Sequence, residues 1–224
     1  MKALIFDSGT LITLSLNGLL YILEELKKTF QGKFLITEQV KYETLDRPIK
    51  VPRFELEALR IQNMLDAKIL ELPTALNIHN NQLKKETNRL MYTGNSLILA
   101  EGRPIKIISE AETSCMALSL VLTKQNIQNI IAIDERTTRI LSEKPQNLKQ
   151  IMEKKLHTSV ELNPKGLNEF KDFKFIRSTE IVYVAYKKNL LKINGPKALE
   201  AALYATKFKG SSVSFEEIDE LKKL

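Results

Sequence analysis

Residues 2–10, KALIFDSGT, decide how this chain is read. Ala3 to Phe6 form a short apolar run after a single lysine. Asp7-Ser8-Gly9-Thr10 follow at once, and all four are turn formers. A brief apolar run bounded by turn residues fits a strand buried on both faces. Next, Ile12, Leu16, Leu19, Leu20, Leu23, Leu26 and Phe30 recur at helical spacing, with Gly32 as a stop signal, so a helix is expected over 10–30. The same order returns at residues 129–143: NIIAI, then Asp134, then a helical stretch from 135. Apolar strands that alternate with helices predict an α/β fold, a parallel sheet with helices on both faces.

Between these two units, residues 33–36 read as extended. Thr37 is an N-cap for a helix to about Leu45, which Arg47-Pro48 breaks. Pro52 opens a helical pattern on Phe54, Ala58, Ile61 and Leu65, and a further helix is expected over 78–91. Residues 104–108, PIKII, read as a strand, and 110–124 as a helix with Ala111, Cys115, Leu118 and Leu122 on one face. Residues 175–186 fit either a strand or a helix. Gly195-Pro196 starts a helix that ends near Gly210, and Ser214-Phe215-Glu216-Glu217 is a capping box for a last one.

Composition narrows the chemistry. The chain has 224 residues, 34 Lys+Arg against 27 Asp+Glu, and a net charge of +7. Residues 146–224 carry 15 of the basic and 10 of the acidic residues, so most of the positive excess lies there. Cys115 is the single cysteine, which excludes an internal disulfide and a cysteine zinc cage, and the lone pair His79 and His157 excludes a histidine-rich metal site. No apolar run approaches the roughly 18–20 residues that span a bilayer. No secretory signal pattern opens the chain, so a cytoplasmic protein with no membrane partner is expected.

In open parallel sheets, ligands bind beyond the carboxyl ends of the strands. Asp7 and Asp134 each stand at such an end. Glu110 and Glu112 open the 110–124 helix, where Ser109-x-x-Glu112 is itself a capping box, and Glu43 lies on the short helix after Thr37. Taken in order, these segments resemble the PIN-domain nuclease family. LIFDSGTLITL resembles its opening strand, with Asp7; ITEQVKYETL its second motif, with Glu43; SEAETSCMALSL its third, with Glu112 or the neighbouring Glu110; IIAIDERTTRIL its fourth, with Asp134. KFKGSSVSFEEIDEL is similar to its closing helices. Ser109 stands where the family has glycine, and residues 48–95 have no counterpart in a minimal member.

The resemblance implies a PIN-like three-layer sandwich with a helical insertion at about 48–95. Residues 1–160 would form the nuclease core; 161–224 would be its C-terminal helical part or a small basic subdomain. It implies a metal-dependent endoribonuclease acting on single-stranded RNA, with Asp7, Glu43, Glu112 and Asp134 as catalytic carboxylates. These, with Glu110, would hold Mg²⁺ or Mn²⁺, hard cations that prefer oxygen ligands. Ser8 or Thr10 would either orient the first carboxylate or cap the following helix. Arg136, Arg139, Lys187 and Lys188 are candidates for the RNA backbone, as are Lys207 and Lys209; Tyr183, Tyr186 and Tyr204 are candidates for base stacking. The insertion would form a lobe over the site or a homodimer contact, and an antitoxin or ribonucleoprotein partner fits the same family. Two other readings stand beside this one. A PIN-like module could bind RNA without cleaving it. A haloacid-dehalogenase-type phosphatase shares the echo Phe6-Asp7-Ser8-Gly9-Thr10, but it needs a second Asp where this chain has Gly9.

Overall fold

The computed structural model describes residues 1–223. Its first strand, β1 (Lys2–Phe6), is the apolar run quoted above. Asp7 stops it: the Asp7 carboxylate accepts the Gly9 backbone N–H at 3.0 Å and so caps α1 (Ser8–Leu16). The expected helix over 10–30 divides here. Gly18 takes a left-handed φ of 64° and ends α1, and α2 (Tyr21–Thr29) starts afresh. The apolar spacing carries across that joint, so periodicity alone does not reveal it.

The chain continues through β2 (Gly32–Leu35) and α3 (Glu38–Lys41), which Thr37 caps. One π-helical turn, Tyr42–Asp46, carries Glu43, and Pro48 then ends the helix. The insertion is helical, with α4 (Glu55–Asp66) and α5 (Asn80–Asn95). Two short strands follow, β3 (Ile98–Ala100) and β4 (Arg103–Pro104), then α6 (Glu110–Lys124), β5 (Gln128–Ala132) and α7 (Arg136–Glu143). The rest comprises α8 (Leu148–Leu156), β6 (Glu161–Leu162), β7 (Phe175–Ile176), α9 (Ser178–Lys187), α10 (Ala198–Phe208) and α11 (Phe215–Lys223).

The ambiguous stretch 175–186 is therefore almost all helix. The expected strand at 104–108 shrinks to its first residue because the Asn95 Oδ1 atom takes the backbone N–H groups of Ile107 and Ile108, at 2.8 and 3.0 Å. Pro196 precedes α10 by two residues instead of opening it.

Four strands form a parallel sheet in the order β2-β1-β5-β7. Register pairs Ile5 with Leu35, Phe6 with Ala132, and Ala132 with Ile176, so the four carboxyl ends share one edge. A small antiparallel sheet, β4-β3-β6, lies apart from it. Helix α6 packs on β1 and β5, and α5 of the insertion packs on α6. That second cover explains the unusual stretch Thr113-Ser114-Cys115-Met116-Ala117, which is buried on every side. Phe6 and Phe34 meet edge to face at 5.4 Å in the core below the shared edge. The C-terminal third is knit into the same body: β7 closes the sheet, and α9 packs against α1, α2 and α10. Among the described residues, no helix is long and apolar enough to cross a membrane.

Candidate functional site

The shared carboxyl edge is also where four helices begin. Asp7, Thr37, Glu135 and Arg177 stand at the N-cap positions of α1, α3, α7 and α9. Each N-terminus leaves backbone N–H groups without intrahelical partners, so the edge favours an anion wherever it opens to solvent.

Into this edge the fold places Asp7, 4% exposed. Its Oδ1 atom is buried and has no hydrogen-bond partner. Its pKa is pushed from 3.8 up to about 8, first by burial, then by the charge of Glu112 and, more weakly, of Glu43; the backbone N–H groups of Gly9 and Ser8 oppose the rise. Glu112 rises above the ordinary carboxylate range as well. Burial is the main cause and the charge of Glu135 adds to it, against hydrogen bonds from Thr138 and Ser109. The carboxylates of Asp7, Glu43 and Glu112 thus act on one another across the edge.

Glu43 and Glu112 are held, not free. Ser8 Oγ donates to Glu43 Oε2 at 2.8 Å and Gln39 Nε2 to Glu43 Oε1 at 3.1 Å. Thr138 Oγ1 donates to Glu112 Oε2 at 2.5 Å, and the capping box with Ser109 is formed as the sequence predicts. Glu110, one position into the same helix, is exposed, so Glu112 is the residue of that pair that faces the edge. Ser8 and Thr10 differ from expectation. Ser8 serves Glu43 instead of Asp7, Asp7 is oriented by the Gly9 backbone, and the buried Thr10 hydroxyl has no partner.

Asp134 sits at the end of β5 as predicted, but its carboxylate is directed elsewhere. Its Oδ1 atom accepts from Ser178 N at 2.9 Å, Ser178 Oγ at 3.0 Å and Ser211 Oγ at 2.9 Å. The residue bolts α9 and the 211–214 segment to the sheet. Its Oδ2 atom is buried without a partner, as is the hydroxyl of Thr179 beside Ser178. Four buried oxygens on Asp7, Asp134 and the first turns of α1 and α9 thus have no partner: Asp7 Oδ1, Thr10 Oγ1, Asp134 Oδ2 and Thr179 Oγ1. Even so, among the described residues no group of three or more His, Cys, Asp and Glu side chains is placed to hold a metal ion.

The basic candidates divide: α7 begins at this edge and carries Arg136 and Arg139, while Lys187 and Lys188 lie away from it. Arg136 is exposed on the first turn of α7, while Arg139 pairs with Glu143 at 3.2 Å. Lys187 and Lys188 end α9, whose other end opens at the site, so roughly 15 Å of helix separates them from it. Lys207 is tied to the Val213 carbonyl and lies 4.3 Å from the Phe215 ring centroid, and Tyr204 stacks on Phe208. Both hold the C-terminal helices together. Cys115 is buried, with its thiol pushed well above the ordinary range by burial and by Asp7 and Glu112. His79 and His157 are exposed.

Two features escape the sequence reading. Arg177 is buried, and its guanidinium bonds Glu180 at 2.6 Å and Glu217 at 2.7 Å, joining α9 to α11. The stretch 47–53 holds Arg47, Lys50 and Arg53 and no acidic residue, close to Glu43 in sequence. That charge pattern is legible without a structure, although on its own the segment reads only as a helix break. No family model, no curated protein and no solved structure matches the chain.

Proposed function

We propose that the chain is a metal-dependent endoribonuclease of PIN type that hydrolyses single-stranded RNA at the carboxyl edge of its parallel sheet. One observation carries the reading. Asp7 is buried with an unpartnered oxygen among the charges of Glu112 and Glu43. The donor set fits a hard divalent cation: carboxylate oxygens, with neither histidine nor cysteine thiolate. Asp7, Glu43 and Glu112 would hold it, although among the described residues no three such side chains are already placed as a metal site. When bound, such an ion supplies an activated water and neutralises charge on the phosphoryl oxygens.

The chain's own groups support the same chemistry. The N-termini of α1, α7 and α9 favour a phosphate at this edge. Ser8 and Gln39 hold Glu43 in place, and Thr138 and Ser109 hold Glu112, so neither carboxylate must be ordered when the substrate arrives.

A second reading keeps the fold and drops the chemistry: an RNA-binding module without cleavage. It is favoured by Asp134, whose Oδ1 atom is committed to Ser178 and Ser211. A 5′-labelled single-stranded RNA incubated with Mn²⁺ or Mg²⁺ tests both, comparing wild type with Asp7→Asn. The nuclease reading expects internal cleavage by the wild type and none by the variant. Binding without cleavage in either metal supports the second reading, and equal cleavage by both proteins removes the carboxylate assignment.

A further inference from the structure

A cavity of about 420 Å³ lies beside the carboxylate edge, between α1, the π-helical turn and α4. Its walls include Ile12, Leu16 and Phe54, three large side chains that remain 43%, 45% and 44% exposed. Glu43 belongs to this cavity and to the carboxylate group at once, since its Oε2 accepts from Ser8, the residue after Asp7. A molecule seated here would therefore touch the edge where the phosphodiester is proposed to lie.

Three polar groups on the wall lack partners. The Ser15 hydroxyl, on a residue 1% exposed, has no hydrogen bond. Among the described residues, neither the Arg47 guanidinium nor the Glu57 carboxylate takes part in a side-chain hydrogen bond or an ion pair. Arg47 is exposed and Glu57 half-buried, so water serves both when the cavity is empty. Both remain available to a ligand with a complementary edge.

We propose that this cavity is a base subsite that receives an unpaired guanine next to the scissile phosphate. An aromatic ring and two aliphatic side chains suit a planar heterocycle, which needs about a third of the volume once its sugar is left outside. A carboxylate offers two acceptor oxygens side by side, which match the adjacent N1–H and N2–H donors of guanine. An arginine fork matches the O6 and N7 acceptors on the same base. Adenine, cytosine and uracil each present a different edge to that pair. Lys50 and Arg53, on the same segment as Arg47, add positive charge for the flanking phosphates. The proposal rests on the nuclease reading only for the position of the scissile bond. The recognition of guanine stands on the cavity itself.

The test therefore uses uncharged nucleosides and no metal. Saturation-transfer NMR on the full chain in EDTA compares guanosine, adenosine, cytidine and uridine. Guanosine is expected to give the strongest transfer, and Glu57→Gln to weaken its binding roughly tenfold or more, the loss expected of a bidentate base contact. Phe54→Ala should weaken all four nucleosides together, and Ile130→Ala, remote from the cavity, should change none. Equal transfer from all four, no transfer from any, or guanosine binding unchanged in Glu57→Gln would each overturn the proposal. So would a concentration-dependent dimer that Phe54→Ala dissolves, since the apolar wall would then be a contact between copies. Cleavage mapping separates the two ideas. Guanosine binding with no RNA cleavage leaves the subsite and removes the nuclease; cleavage with no preference beside G does the reverse.

Discussion

Replacing Asp7 by Asn should make the protein more stable, and by an amount that grows with pH. The carboxyl of Asp7 titrates near 8 in the folded protein and near 3.8 when exposed. Below the lower value both states are protonated and the replacement changes little. Between the two, the folded chain holds a proton that the unfolded chain has released, so wild-type stability falls as pH rises, by up to ~1.4 kcal/mol per pH unit. Above about 8 the fall is complete. Over most of that window the loss sums to roughly 3–5 kcal/mol, with the lower figure allowing for water entering the edge. Asparagine keeps the shape and carries no charge at any pH. For a chain of this size each kcal/mol moves Tm by roughly 2–4 °C, so the variant's advantage should widen by roughly 6–20 °C from pH 4.5 to pH 8. Thermal melts followed by circular dichroism in chelated buffer read this directly. Mn²⁺ at a hundred times its Kd should then raise the wild-type Tm at pH 7.5, by the equivalent of ~2.7 kcal/mol, and leave the variant unmoved. A Tm difference that is flat in pH, or one that favours the wild type at pH 8, would refute the account of a buried carboxylate held against like charge.

Other perturbations test the remaining parts. Asp134→Ala strands three donors, Ser178 N, Ser178 Oγ and Ser211 Oγ, and should cost roughly 2–5 kcal/mol in urea unfolding; a loss under ~1 kcal/mol would mean that water replaces the carboxylate. Arg177→Met should release α11, seen as new proteolytic cleavage between 208 and 223 at a concentration that spares the wild type, since Glu217 loses its partner at 2.7 Å. Cys115 should stay unreactive toward a thiol reagent at pH 8 until the protein is unfolded in urea, and rapid labelling of the native chain would contradict its burial and raised pKa.

What the sequence discloses follows the range of the forces involved. β1, α6 and β5 are legible because an apolar run, a capping box and a turn residue are local signals. The joint at Gly18 is hidden because the apolar spacing continues through it. The loss of the strand at 104–108 depends on one side chain, Asn95, more than ten residues away. At the site, the charge of Glu112 acts on Asp7, and each is set by a local signal, since Asp7 caps α1 and Glu112 closes the capping box of α6. Asp134 stands on the same edge, yet its partners lie 44 and 77 residues further on, a distance over which no local pattern operates. Lys187 and Lys188 illustrate the opposite error: their charge is plain in the sequence, and the direction of α9 carries them to its far end.

Those long separations have a consequence for the order in which the protein can be built. A chain growing at ~5–20 residues per second exposes Asp134 roughly 4–15 s before Ser211 exists to meet it. Until residues 175–178 are added β5 lacks β7 and the Asp134 carboxylate has none of its partners, and Ser211 supplies the last of them. The early segments can collapse around β1 and α6, but the edge that carries Asp7 stays open to one side. The Asp134 side of the edge is therefore completed only once Ser211 has been added, well after β1, α6 and β5 have been made.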